Sequence, residues 1–453
     1  MVRDRSFYKT IFAIALPSAF QAMVSFLVVL ADNMMVARLG DTVYAGVAQA
    51  NGVIAFFTAT ITGLVGGSAV LISQYWGKKD MERIKRIFAI VSWVCAGVAF
   101  LFAAAGAAAP RTILRLMTSD EDIVEAGIAY FRIMSLSFVP YAVSAALIGM
   151  LRSIEVVKVT VYITMTTLFV DIGLNYVFIF GKLGMPAMGA AGAAATTVFS
   201  RVLELAIVTY YLFRVQKKME IQPRDLLRGD RLLLKDYLRY GVPVCVVDAQ
   251  WAIIGVLKTS IIGRLGGQTI TANGIGASLM QLGTLFSFSL AGGACVVIGK
   301  TVGEKDYERT RAYAKSIQIM FAGIGIVMAA LVYIVRAPFA SLYGVSDTTR
   351  NLAAEMVGIA AISLVGTTYH ASCFVGINRG AGDNRFVMIV DMLCGWLVVL
   401  PVSYLAAFVL HVPNAWMLLV LRIDQLFKWI IAFCRLRGNA WIRNVTREDA
   451  PTG

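Results

Sequence analysis

The chain has 453 residues, 58% of them hydrophobic and 15% charged, with a mean hydropathy of +0.74. A soluble protein of this length does not need so much apolar surface, so the composition excludes that class and implies a polytopic membrane protein. The net charge of +14 lies in the connections between apolar segments, where topology explains it, so no nucleic-acid partner is expected.

A bilayer core of about 30 Å takes roughly 20 apolar residues per helix. Segments bounded by charge, glycine and proline predict an all-α protein of twelve transmembrane helices. They fall at approximately 11–37, 44–76, 86–109, 123–151, 157–180, 187–213, 237–262, 269–299, 312–335, 351–378, 384–410 and 413–436. Met1 to Lys9 is short and basic without a cleavable-signal pattern, as expected of a cytosolic start.

The first span carries Gln21, Ser25 and Asp32 within a narrow arc at 100° per residue. A seam of this kind should face protein or water, and an intramembrane acid marks an ion or substrate pathway. A protonated carboxyl that only bonds a neighbouring helix is the plainer alternative. In the second span, Gly66-Gly67-Ser68 is a small-residue patch suited to close helix packing, as is Gly292-Gly293-Ala294 in the eighth. Arg132 in the fourth span lies about level with Asp171 and is read as a counter-ion or cavity residue.

The fifth span repeats polar residues every three or four positions: Thr160, Thr164, Thr167, Asp171, Asn175. Any one threonine could simply bond back to its own helix, but five in register with a carboxylate indicate a polar face lining a cavity. Asp171 and Asn175 fall about level with Asp32, so the two acids are expected to share one cavity and have coupled protonation. In the sixth span Glu204, near Arg201, is expected to reach the interface.

The connection at 214–236 is polar and basic, with Pro223 and Gly229. It is expected to be a cytoplasmic linker, with a short interfacial helix over Arg224 to Leu234. The predicted domains are then an N-terminal lobe at 1–213, the linker, a C-terminal lobe at 237–437 and a poorly ordered cytoplasmic tail at 438–453. In the second lobe Asp248, beside Gln250 and Trp251, and Asp391 each stand alone in their spans, while Asp424 and Lys428 are spaced to neutralise each other. Pro17, Pro140, Pro243 and Pro401 lie within spans and can kink them. The six cysteines have no paired spacing and His370 and His411 no ligand partners, so neither disulfide nor metal is expected.

The two lobes are a duplication. A gapless shift of 226 residues carries Pro17 onto Pro243, Arg38-Leu39-Gly40 onto Arg264-Leu265-Gly266, Gly77 onto Gly303, and Lys79-Asp80 onto Lys305-Asp306. A weaker echo at 227 matches Gly149 and Arg152 to Gly376 and Arg379. An even number of spans per repeat predicts two six-helix lobes related as a parallel rather than an inverted repeat. One position breaks the match: Asp32 is answered by Lys258. Lysine and arginine crowd the N-terminus, the second and eighth connections, the central loop and the tail. The positive-inside rule therefore expects a multi-pass cell-membrane protein with both termini cytoplasmic and basic loops touching anionic lipid.

These residues resemble a known family. Asp32-Asn33-Met34-Met35-Val36-Ala37-Arg38-Leu39-Gly40 resembles the first-span signature of the multidrug and toxic compound extrusion (MATE) transporters. The run from Asp171 to Gly181 and the run from Gly192 to Arg201 resemble its fifth and sixth spans, and the likeness extends from about Tyr8 to Arg437. The resemblance implies a V-shaped pair of lobes exporting cationic or amphipathic drugs in exchange for protons, more readily than sodium, as a monomer without a cofactor. Carried over, Asp32, Asp171 and Asn175 are the ion-coupling residues. Gln21, Ser25, Thr164, Thr167, Thr197, Lys258 and Gln281 line the substrate cavity. The fifth-span order of acid then amide departs from many relatives. Trp251 stands where other branches have an acid, which puts a second ion site in doubt and points nearer the bacterial DNA-damage-inducible branch. A lipid-linked saccharide flippase of the same superfamily is the alternative, kept open by Lys258 and Arg132. A channel would not need a protonatable seam in one lobe, and no nucleophile–base pair suggests an enzyme.

Overall fold

The structure, a computed structural model, describes residues 5–118, 120–216, 219–227 and 229–447, and no β-strand occurs among them. In chain order, α1 (Arg5–Ala37), α2 (Asp41–Lys78) and α3 (Met81–Ala108) are long apolar helices. Short α4 (Pro110–Arg115) leads to α5 (Glu121–Ser135) and α6 (Phe138–Ser153), which meet at a 48° bend. Then come α7 (Lys158–Phe180), α8 (Gly189–Tyr210), α9 (Arg231–Gly263), α10 (Gly267–Gly303) and α11 (Tyr307–Ser341). The pair α12 (Asp347–Ala360) and α13 (Ser363–Ala371) bends by 50°. Next, α14 (Asn384–Leu393) runs through a π-helical turn into α15 (Leu400–Phe408).

Nine of these helical runs can cross a bilayer, and the two bent pairs bring the number to eleven among the described residues. The bends fall at equivalent places in the two repeats, yet only the first has a proline nearby, Pro140. The kink therefore belongs to the repeat rather than to proline. The segment expected as a twelfth span is not one helix: α16 (Met417–Val420) and α17 (Lys428–Arg437) flank a single tight turn at Ile423–Leu426. Arg422, Asp424, Gln425 and Lys428 bond side chains of neighbouring elements or of one another, which lets the backbone leave the helix inside protein. Gly366 makes the break possible, because a Cβ there would lie 1.9 Å from the Gln425 carbonyl oxygen.

The duplication is visible in the backbone. Lys79 and Lys305 both have left-handed conformation, φ 61° and 60°. The aspartates that follow cap the next helices alike, Asp80 and Asp306 each accepting from the backbone N–H three residues on at 3.0 Å. Where α2 and α10 cross, a Cβ on Gly77 would lie 2.0 Å from the Lys300 oxygen, and one on Gly303 1.9 Å from the Gln74 oxygen. Gln74 and Lys300 are themselves 226 residues apart. Equivalent glycines meet equivalent carbonyls, as a local two-fold requires.

By contact density the chain forms two compact units. One comprises Phe20–Ile72 and Asp80–Cys245, here the N-terminal unit; the other comprises Met1–Ala19, Ser73–Lys79 and Val246–Gly453, the C-terminal unit. These borders differ from the lobes expected from the linker, because each repeat's leading helix begins in the other repeat's unit. Phe7, Ile11 and Ala15 of α1 pack with Leu290, Ala294, Ile317 and Phe321. In the N-terminal unit the Tyr237 hydroxyl of α9 donates to Leu64 O at 3.0 Å, and a Cβ on Gly67 would sit 2.3 Å from Gly241 Cα. In the eighth-span patch a Cβ on Gly293 would lie 3.1 Å from Ile11 O while Gly292 faces open space, so one glycine of each patch serves close packing.

Two further expectations change. No helix covers Arg224 to Leu234 as a whole: a short turn at Pro223–Leu227 precedes α9, with Lys217, Lys218 and Arg228 outside the described residues. The turn is pinned to α3, where Trp93 Nε1 donates to Leu226 O at 2.8 Å and Arg86 pairs with Asp230 at 3.1 Å. The tail beyond Gly438 is docked as far as Arg447. Trp441 is 2% exposed, and Val445 N donates to Gln74 Oε1 at 2.8 Å. Residues 448–453 lie outside the described residues.

Candidate functional site

The N-terminal unit assembles its polar seam from α1, α7 and α8. Asn175 Nδ2 of α7 donates to Asp32 Oδ1 of α1 at 2.9 Å, and the Thr196 hydroxyl of α8 donates to Asn175 Oδ1. The amide is held from both sides, which sets its orientation and fixes a donor on Asp32. Asp32 is half-buried and Asp171 buried. Asp171, one turn before Asn175, acts on Asp32 through its charge. Its own neighbours are Ser200, Thr197 and Arg201 of α8. Asp171 Oδ1, Thr164 Oγ1 and Ser200 Oγ are buried without a hydrogen-bond partner among the described residues.

The threonines of α7 divide. Thr160 donates to Val157 O at 2.7 Å and Thr167 to Thr164 O at 3.0 Å, so both are satisfied by their own helix. On α8, Thr197 likewise donates to Ala193 O at 3.0 Å and is half-buried. Gln21 accepts from Arg152 Nη2 at 2.5 Å, and Ser25 is half-buried on α1.

The cation beside this site is Arg201. Its guanidinium pairs with Glu204 at 3.0 Å and lies 5.0 Å from the centre of the Tyr141 ring. Arg132, read as a counter-ion, is exposed on α5 and does not fill that role. Glu204 does not snorkel: it is 3% exposed and accepts from Ser144 at 3.2 Å as well as from Arg201. Tyr130 on α5, whose hydroxyl donates to Asn51 at 3.1 Å, feels the charges of both Asp32 and Asp171. Sequence reasoning missed Thr196, Ser200 and Tyr130. The spacing of Thr196 and Ser200 is one helical turn and was available, but which of the neighbours Thr196 and Thr197 faces α7 is set by the rotation of α8.

The C-terminal unit holds a different cluster. Lys428, 1% exposed, pairs with Asp391 at 2.5 Å and Asp424 at 3.0 Å. The expected Asp424–Lys428 pair is present, and Asp391 joins it across 37 residues of chain. Asp248 is not solitary either, since Arg379 bonds it at 3.1 Å. Lys258 lies 5.2 Å from the centre of the Trp251 ring and Lys428 4.7 Å from it. Gln281 is exposed on α10 and its side chain forms no hydrogen bond among the described residues.

The MatE family model matches residues 17–177 and again 243–405, so each repeat carries it once and the matches begin at Pro17 and Pro243. The chain belongs to the MatE family. It is 24% identical over 421 residues to the "Uncharacterized transporter YisQ" of Bacillus subtilis, covering 91% of this chain and 90% of that one. It is 24% identical over 380 residues to the "Probable multidrug resistance protein NorM" of Streptococcus pneumoniae, covering 83% and 82%. Among solved structures, a MATE in complex with MaL6 superposes with a TM-score of 0.87 at 20% identity over 95% of both chains. The eukaryotic MATE transporter AtDTX14 gives 0.83 at 18% identity over 97% of both. The fold is therefore that of a MATE transporter, and the protein is a multi-pass membrane protein.

Proposed function

We propose that this protein is a secondary multidrug efflux antiporter that exports cationic or amphipathic compounds in exchange for protons, with both termini cytoplasmic. The observation that carries the reading is the Asp32–Asn175–Thr196 chain with Asp171 one helical turn away. A carboxylate can bind either a proton or a cation, so at Asp32, with a second acid one helical turn from its amide partner, the two compete for one site. A proton arriving from outside neutralises Asp32 and weakens its hold on a cationic substrate, and its release inward restores the acid for another cation. The name of one relative, "Probable multidrug resistance protein NorM", supports a role in multidrug resistance.

The test is proton-driven ethidium uptake into inverted vesicles, with the abundance of each variant matched. Asp32→Asn mimics the protonated state and should reduce uptake to that of empty vesicles while the protein still inserts. Asp171→Asn should leave partial, gradient-dependent uptake, because Asp32 still exchanges the proton. Normal uptake by Asp32→Asn would make this carboxylate structural. Stimulation by a sodium gradient in place of a proton gradient would assign the other coupling ion.

A further inference from the structure

The charge count of the C-terminal unit's buried cluster does not close. Lys258, Arg422 and Lys428 face two carboxylates, Asp391 and Asp424, which leaves one positive charge in excess. Both carboxylates are engaged by Lys428, and Asp424 Oδ2 also accepts from Gln425 at 2.7 Å. Arg422 is half-buried yet bonds only hydroxyls: Thr284 at 3.2 Å, Ser363 at 3.3 Å and Thr367 at 3.5 Å. Among the described residues Lys258 forms no ion pair; its ammonium has the Trp251 ring beside it, the field of Asp424 attracts it and those of Arg422 and Lys428 repel it. An ammonium in an apolar span that makes no direct ion pair is costly, even with a carboxylate such as Asp424 acting from a distance. The neighbouring His370 does not help, since its Nδ1 is turned to Gly366 O at 3.1 Å.

We infer that Lys258 and Trp251 form a binding site for the anionic group of an amphipathic compound, a carboxylate, sulfonate or phosphate. Trp251 supplies an apolar wall for the attached hydrophobic body. Lys258 is only half-buried and so is reachable, whereas Lys428 is spent on Asp391 and Asp424. The bound anion gives Lys258 the direct ion pair that Asp424, bonded to Lys428 and Gln425, does not, and Arg422 adds favourable field. This deepens the efflux reading by adding anionic and zwitterionic amphiphiles to its substrates. Ligand binding to the C-terminal unit is measurable whether or not protons drive transport.

The experiment is equilibrium dialysis of the purified full-length protein in detergent with two ligands of matched ring: 2-naphthalenesulfonate and 2-naphthyltrimethylammonium. The sulfonate should bind the wild type, weaken at least about tenfold in Lys258→Met, where one charge-assisted contact is lost, and recover in Lys258→Arg. The trimethylammonium ligand should bind Lys258→Met no more weakly than wild type. Equal sulfonate affinity in wild type and Lys258→Met overturns the proposal. So does an equal loss of both ligands, which would report general damage to the unit. Inorganic pyrophosphate offered as competitor tests the source of the anion. Displacement at concentrations equal to those of the naphthyl ligand overturns the amphiphile site, since Trp251 would then contribute nothing, while displacement only at far higher concentration supports it. Asp32→Asn should bind the sulfonate like wild type, so failure of proton coupling and failure of this site give different results.

Discussion

The two units carry the same repeat and opposite polar chemistry. In the N-terminal unit three buried or half-buried carboxylates, Asp32, Asp171 and Glu204, stand against Arg152 and Arg201. In the C-terminal unit four cations, Lys258, Arg379, Arg422 and Lys428, stand against three carboxylates, Asp248, Asp391 and Asp424. The reversal is already present at one aligned position, where Asp32 is answered by Lys258. What the repeats kept is mechanical: the Gly77–Gly303 crossing, the Lys79 and Lys305 turns, the Asp80 and Asp306 caps and the two bends. Duplication here preserved how helices pass one another and let the polar interiors diverge.

The sharpest way to break this comparison is at Lys428, which has no acid-free equivalent in the other unit: the aligned residue, Arg201, has a single carboxylate partner. Lys428→Met should destabilise the protein by about 3–5 kcal/mol, the cost of leaving a buried charge without its partner. Adding Asp391→Asn and Asp424→Asn should restore most of that loss. Thermal unfolding of the purified protein in detergent measures both, and a neutral single variant would show that the cluster is wetter than its burial indicates.

The crossing gives an intermediate effect. Gly77→Ala and Gly303→Ala each force a methyl into a backbone carbonyl, and overpacking of that kind costs about 1–3 kcal/mol. Because the contacts are reciprocal, the two losses should be similar, and a large difference between them would deny the local two-fold. The smallest effect is at the caps. Asp80→Ala and Asp306→Ala should each cost about 1 kcal/mol for the lost cap, with Asp80→Ala the more costly by the same thermal assay because it also loses the Arg83 ion pair at 2.8 Å.

The sequence by itself determined the membrane class, the helical content and the duplication, because each rests on local properties: apolar length, spacing of charge, and coincidence of proline and glycine. It also placed Asp32, Asp171 and Asn175 on polar faces of two helices, since helical periodicity alone decides which side chains share a face. Tertiary structure decided the rest. That Asn175 rather than Asp171 bonds Asp32, that Thr196 rather than Thr197 holds Asn175, and that Arg201 replaces Arg132 depend on the axial rotation and offset of packed helices, which no single helix encodes. The same holds for α1 and α9, whose first turns join the other repeat's unit, and for the twelfth segment, where apolar composition predicted a helix. The broken backbone is tolerated there because Lys428 finds Asp391 on another element and Gly366 leaves room for the Gln425 carbonyl. A hydropathy pattern reports the cost of facing lipid; only the assembled unit shows which polar groups never have to.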